Sequence, residues 1–160
     1  MKYHPFVMER WQSTYEHRVR FNLSESGVHP LLVSELLSLA DLGPETLDVP
    51  LGYGQSNGSD DLRTLIADLY TDATETSVLV TVGGAEANFT AFWELMEPGA
   101  SVAVMLPNYM QVPGLLESFG GHIHPFHLVE EKGWQPDLNE LEKGLRDGAR
   151  FILITNPNNP

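Results

Sequence analysis

Three stretches of the chain carry residues suited to holding a small anionic ligand. The first is Val80-Thr81-Val82-Gly83-Gly84-Ala85-Glu86-Ala87-Asn88, an apolar segment that passes through two glycines into a helical pattern. Glycines let backbone N–H groups approach an anion closely, and a helix N-terminus favours negative charge. A phosphate is the natural guest; a plain tight turn between strand and helix is the other reading. No Gly-Lys-Ser/Thr follows, so this is not a Walker loop, and it is not Gly-x-Gly-x-x-Gly either. The second stretch is Pro107-Asn108-Tyr109, after another apolar run. Its tyrosine could serve as a stacking plate for a flat ligand, or pack on its own turn. The third is Asn156-Pro157-Asn158-Asn159-Pro160, after Phe151-Ile152-Leu153-Ile154-Thr155. An asparagine there could hydrogen-bond a ligand oxygen, an Asn-Pro bond can be cis and fix a turn, and an ordinary polar loop is the alternative.

Strands and helices must position these stretches, and an alternation of the two is legible from Ser59 onward. Ser59 reads as an N-cap, with Asp60 and Asp61 matching the positive helix end. Leu62, Leu65, Ile66, Leu69 and Tyr70 then form one helical stripe. The pattern predicts a buried strand over 78–82, a helix over 84–96 and a strand over 101–106. A helix over 111–119, a strand over 122–128, a helix over 137–146 and a strand over 151–155 follow. Asp137 and Glu140 have the spacing of a capping box. This order implies an α/β fold: a three-layer α/β/α sandwich with a mostly parallel sheet. In such sheets ligands gather beyond the carboxyl ends of the strands, where all three stretches fall. Upstream, Leu31–Ala40 reads as a short helix closed by Gly43-Pro44, and 50–58 as a glycine-rich loop. Residues 1–30 show only scattered aromatics (Tyr3, Phe6, Trp11, Tyr15, Phe21) and read as an arm packed on something larger.

The chain has 160 residues and a net charge of −13, from 22 acids against 9 bases. That balance argues against nucleic acid and anionic membrane as partners. No cysteine is present, so disulfides and thiolate metal sites are excluded. There is no apolar leader and no run of membrane-spanning length, which makes a cytoplasmic protein the default expectation. His122, His124 and His127 suggest a metal only weakly. Pro125 interrupts the set and no acid completes it, so a partly exposed strand edge is preferred and no metal is expected. Trp11, Trp93 and Trp134 read as packing residues.

Taken in order, the three strand ends resemble the fold type I pyridoxal-phosphate enzymes, specifically the class I/II aminotransferases. Tyr53-x-x-x-x-Gly58-x-x-x-Leu62-Arg63 resembles a signature that precedes the first sheet strand in that family. Glu97-Pro98-Gly99-Ala100-Ser101-Val102 is similar to its Pro-Gly-Asp-x-Val, with Ala100 in place of Asp. The resemblance spans about residue 20 to the end. It implies pyridoxal 5'-phosphate as cofactor, an amino acid and a 2-oxo acid as substrates, and a homodimer. Gly84 and Ala85, with Gly83 just before them, resemble the backbone donors to the cofactor phosphate. Relatives often hold Ser or Thr near Ala85, so one hydroxyl contact is expected to be missing. Tyr109 resembles the ring that stacks on the pyridine, and Asn159 the donor to the cofactor's 3'-oxygen. Tyr53 resembles the tyrosine that reaches the phosphate of a neighbouring subunit's cofactor. Ser26-Gly27 resembles a substrate-side loop.

On the same reading residues 1–45 are an arm and small-domain segment, and 46–160 the first, incomplete part of the large cofactor-binding domain. The lysine that bonds the cofactor covalently in relatives lies downstream of the Asn-Pro motif. The lysines here, Lys2, Lys132 and Lys143, stand in polar contexts unsuited to that role. The chain is therefore expected to be the N-terminal part of an aminotransferase and unable to transaminate by itself. A lyase, cyclase or decarboxylase of the same fold is the alternative. The stretch Pro5-Phe6-x-x-Glu9-x-Trp11 with Asn22–Val28 resembles relatives linked to arginine-derived amino acids. A non-catalytic truncated binding protein is the rival of a different class. Unpaired edges at 151–155 are expected to cause self-association.

Overall fold

The computed structural model describes residues 5–25 and 27–159. In chain order its helices are α1 (Val7–Tyr15), α2 (Val33–Leu39), α3 (Asp60–Ala67), α4 (Gly84–Leu95), α5 (Gln111–Ser118) and α6 (Leu138–Arg146). The strands are β1 (Ser101–Leu106), β2 (His122–Val129), β3 (Gln135–Pro136) and β4 (Phe151–Leu153). Two compact units form: Met1–Ser24 with Val82–Pro160, and Glu25–Thr81.

The first unit is built on a four-stranded sheet of order β3-β2-β1-β4. β1 pairs in parallel with β2 (Ser101 opposite His122, Leu106 opposite His127) and with β4 (Val102 opposite Phe151). Only β3 is antiparallel. β1 is central, and its four inner residues are all buried, as a strand covered on both faces requires. Its side chains alternate between two cores. Val102 and Val104 meet Phe92 of α4 and Leu116 of α5. Ala103 and Met105 meet Phe126 and Ala149, with Leu141 of α6 packed against them. Helices thus lie on both faces of a mostly parallel sheet, as the alternation implied. α6 approaches β2 closely at Gly144, where a Cβ would stand 2.9 Å from that of His124.

The second unit is organised by Arg63, which is only 8% exposed. Its guanidinium donates to the carbonyls of Gly58 (3.2 Å) and Glu75 (2.7 Å) and pairs with Asp60. Gly58 itself has φ +95°, and a Cβ there would sit 2.4 Å from Val80 Cγ2. The Ser59 hydroxyl caps α3 by accepting from the Leu62 N–H.

Several expectations change. Residues 78–82 form no strand. The Val80 N–H bonds the Asn57 carbonyl at 3.1 Å, but no ladder partner runs alongside among the described residues, and Val82 is 92% exposed. β-branched residues favour a strand only where a neighbour pairs with them. Residues 7–15, part of the segment read as an arm without a regular pattern, are helical. The capping box of α6 is half made. Asp137 accepts from the N–H groups of Asn139 and Glu140, but the Glu140 carboxylate turns to His127. Pro125 does not interrupt β2, which runs through it opposite Val104. Among the described residues the far side of β2 carries no partner until β3 joins at Leu128, and an unpaired edge is where proline is tolerated.

Candidate cofactor site

α4 begins without a side-chain cap. Its N-cap, Gly83, has φ +84° and ψ 165°, a backbone geometry essentially restricted to glycine. A side chain in place of either Gly83 or Gly84 would meet no atom within 4 Å, so the space ahead of the helix is open. The Gly84 and Ala85 N–H groups find no protein acceptor among the described residues. Two exposed backbone donors at the positive end of a 12-residue helix suit a dianion.

Beyond β1 the chain turns through Pro107, Asn108 and Tyr109. The Leu106–Pro107 and Asn156–Pro157 peptide bonds are both cis. Tyr109 is half-buried, and its ring meets Phe6 edge-on, with centroids 5.4 Å apart. Burial pushes the Tyr109 phenol pKa above its ordinary value, and the Glu9 carboxylate adds to the rise. Phe6 is the one aromatic ring in contact with that of Tyr109 among the described residues.

Three hydrogen bonds draw the stretches together at the carboxyl end of the sheet. Gln111 Nε2 donates to the Ala85 carbonyl at 2.7 Å. The Thr155 hydroxyl donates to Asn108 Oδ1 at 2.7 Å. Asn158 Nδ2 donates to the Pro107 carbonyl at 3.0 Å. Asn108 is 5% exposed, and its Oδ1 also accepts from the Tyr109 N–H, at 2.7 Å. Its Nδ2 is buried without a partner. Asn158 Oδ1 accepts from the Asn159 N–H, while the Asn159 carboxamide makes no side-chain bond among the described residues.

The sequence-derived residues therefore fall as follows. Gly83, Gly84, Ala85, Tyr109 and Asn159 stand around one end of the sheet. Tyr53 belongs to the second unit, fully exposed in a loop. Ser26 and Pro160 lie outside the described residues. Sequence reasoning gave no role to Asn108, Thr155, Gln111 or Phe6; the carboxamide between Pro107 and Tyr109 was the one available signal. Among the described residues no group of three or more His, Asp or Glu side chains is placed to hold a metal ion. His127 is committed to Glu140 (2.8 Å), and the His124 Nε2 is enclosed. Lys143 is paired with Asp147 on α6, and Lys132 lies in the exposed turn after β2.

Residues 50–160 match the family model for aminotransferase class I and II. The chain belongs to that family. Capreomycidine synthase of Streptomyces vinaceus is 33% identical to this aminotransferase-family chain over 156 residues, which is 96% of the chain but 40% of that protein. A solved PLP-dependent aminotransferase from Streptococcus suis 89-1591 covers all of the chain with TM-score 0.89 at 30% identity, over 44% of its own length. The solved PLP-dependent cyclase OrfR also covers all of it, with TM-score 0.83 at 25% identity, over 42% of its length. The chain thus spans less than half the length of these relatives. Its fold is part of the fold type I transferase domain, and membership of this family implies pyridoxal phosphate. No helix among the described residues is long and apolar enough to cross a membrane.

Proposed function

We propose that this site holds pyridoxal 5'-phosphate and serves transfer of an amino group between an amino acid and a 2-oxo acid. The observation that supports the reading is the set of bonds from Gln111 to Ala85, Thr155 to Asn108 and Asn158 to Pro107, which ties the first turn of α4, the Pro107–Tyr109 turn and the 156–159 loop together. The donor set suits the group: two backbone N–H groups for a phosphate, an aromatic face for a pyridine, a carboxamide for a ring oxygen. Pyridoxal phosphate, when bound, supplies the carbonyl that captures the amino group and the conjugated ring that accommodates charge left at the substrate Cα.

The chain's own residues bind and orient. Gly84 and Ala85 donate to the phosphate without needing a side chain, and Gly83 provides the backbone turn that aims them. Tyr109 fixes the ring plane. Asn159 donates a hydrogen bond to the 3'-oxygen and holds it as the acceptor partner. Tyr53 reaches the phosphate of a partner subunit, so the working unit is a homodimer. Residues 1–45 act as arm and small-domain segment. The covalently bonding lysine is none of Lys2, Lys132 and Lys143.

A second reading has its own support. The match to capreomycidine synthase runs over 96% of the chain, and OrfR is a cyclase, so the same residues would serve a cyclising reaction. One experiment separates the readings. A longer protein that carries this segment together with a cofactor-bonding lysine is incubated with pyridoxal phosphate and a panel of amino acids, and products are identified by mass. A 2-oxo acid with amino transfer to an added acceptor supports the first reading. A cyclic amino acid with no transfer supports the second.

A further inference from the structure

We infer that Gln111 is a positioning residue that fixes the distance between the anion-binding turn of α4 and the Tyr109 plate. The inference rests on the cofactor reading above and deepens it. Gln111 is the first residue of α5 and stands two positions after Tyr109. Its side chain crosses to α4, where Nε2 donates to the Ala85 carbonyl at 2.7 Å. Asn88, one turn further along α4, returns a bond: its Nδ2 donates to Gln111 Oε1 at 3.1 Å. Both ends of one carboxamide are therefore used, and both reach the first two turns of the same helix. A single bond would let the amide swivel, whereas two bonds at opposite ends set its position.

The geometry has a consequence for a two-part guest. Ala85 contributes a backbone N–H to the phosphate cradle, and its carbonyl is the atom that Gln111 grips. Tyr109 and Gln111 share a short turn, so the grip on Ala85 is also a grip on the ring. A guest that carries an anion and a flat ring on one rigid frame needs both contacts at a fixed separation. A guest that is only an anion needs the cradle alone. Gln111 should thus matter for the first and be nearly indifferent for the second, a distinction that a general stabilising role would not make. Gln111 is only partly covered, and a solvated hydrogen bond adds little to folding stability. Its effect is expected in alignment rather than in the melting temperature.

The test compares the protein with Q111A, Q111E and N88A. The glutamate is isosteric but turns the donor at Ala85 into an acceptor. Affinities for pyridoxal phosphate and for inorganic phosphate are measured by calorimetry, with the melting temperature of each variant. Loss of about one hydrogen bond's worth of alignment should weaken pyridoxal phosphate about fivefold in Q111A and Q111E and about twofold in N88A. In Q111A and N88A inorganic phosphate should change by less than about twofold and the melting temperature by less than about 2 °C, values within the scatter of a surface substitution, whereas the carboxylate of Q111E also repels the anion and should weaken both ligands. The double variant Q111A/N88A should be no weaker than Q111A, because the two side chains act as one unit. Wild-type binding of pyridoxal phosphate with no change in Q111A and Q111E overturns the inference alone. Parallel losses in both affinities and in melting temperature in Q111A overturn it too, since Gln111 would then be a folding residue. Failure of the wild-type protein to bind pyridoxal phosphate overturns the cofactor reading and the inference with it.

Discussion

The side chains of Asn108 and Thr155, 47 residues apart in sequence, meet at 2.7 Å, hydroxyl to carboxamide oxygen. One follows β1 and the other follows β4, so the bond locks the exits of two adjacent parallel strands. The same oxygen takes the Tyr109 N–H, which makes Asn108 the fixed point between the ring and the terminal loop.

Removing that fixed point has a definite cost. N108A leaves a part-buried hydroxyl and a backbone N–H without their acceptor, which should destabilise the protein by about 1–3 kcal/mol. T155V removes a single bond and should cost about 1 kcal/mol, with T155S close to wild type. Urea denaturation checks the order. N108A as stable as T155S would show that the bond does not hold the strand exits.

On the proposed reading Tyr109 acts through its ring, not its hydroxyl. Y109F should therefore keep pyridoxal phosphate affinity within about twofold, while Y109A should lose about tenfold with the stacking face. Fluorescence titration checks this. Equal losses in the two variants would move the role to the phenol.

The pair His127 and Glu140 gives an acid-sensitive joint between β2 and α6. The Glu140 carboxylate accepts from the His127 ring and from its backbone N–H, both at 2.8 Å. The side-chain hydrogen bond from His127 first, then the backbone one, hold the Glu140 pKa below the usual carboxylate value. A depressed folded pKa means stability that is present above the ordinary glutamate pKa and is lost as pH falls through the folded one. Because both groups are solvent-exposed the effect is small. E140Q should flatten the acid limb of the stability–pH curve below the ordinary glutamate range. An unchanged acid limb in E140Q would mean that the pair contributes nothing.

In the second unit, Gly58 has no room for a methyl group and a backbone that disfavours one. G58A should destabilise that unit by about 1–3 kcal/mol. R63M, which strands the partners of a buried guanidinium, should cost about 3–5 kcal/mol. Limited proteolysis within 25–81 reads both effects, and wild-type protection in R63M would contradict the role given to Arg63.

Much of this was legible in the sequence for a physical reason. β1 is buried on both faces, so Ser101–Leu106 reads as an unbroken apolar run with no rival interpretation. α4, α5 and α6 end at glycines or prolines that stop helices. Val78–Val82 has the same apolar character, but a strand is a relation between two segments, and no property of one segment supplies the other. The capping pattern at Asp137 and Glu140 is half realised because Glu140 meets a competing donor in His127 on β2, 13 residues upstream. Gly83, Gly84, Tyr109 and Asn159 stood out because glycines, an aromatic and amides at strand ends are unusual. The braces did not: Gln111 reaches Ala85 across 26 positions and Thr155 reaches Asn108 across 47, and such bonds leave no local pattern.

The central claim is that one ligand touches the α4 N-terminus, the Tyr109 turn and the terminal loop together. Backbone amide resonances followed by NMR during titration with pyridoxal phosphate test it most directly. Gly84, Ala85, Tyr109 and Asn159 should shift together along a single saturating curve. Binding that moves none of Gly84, Ala85 and Tyr109, or that moves them at different ligand concentrations, would contradict it.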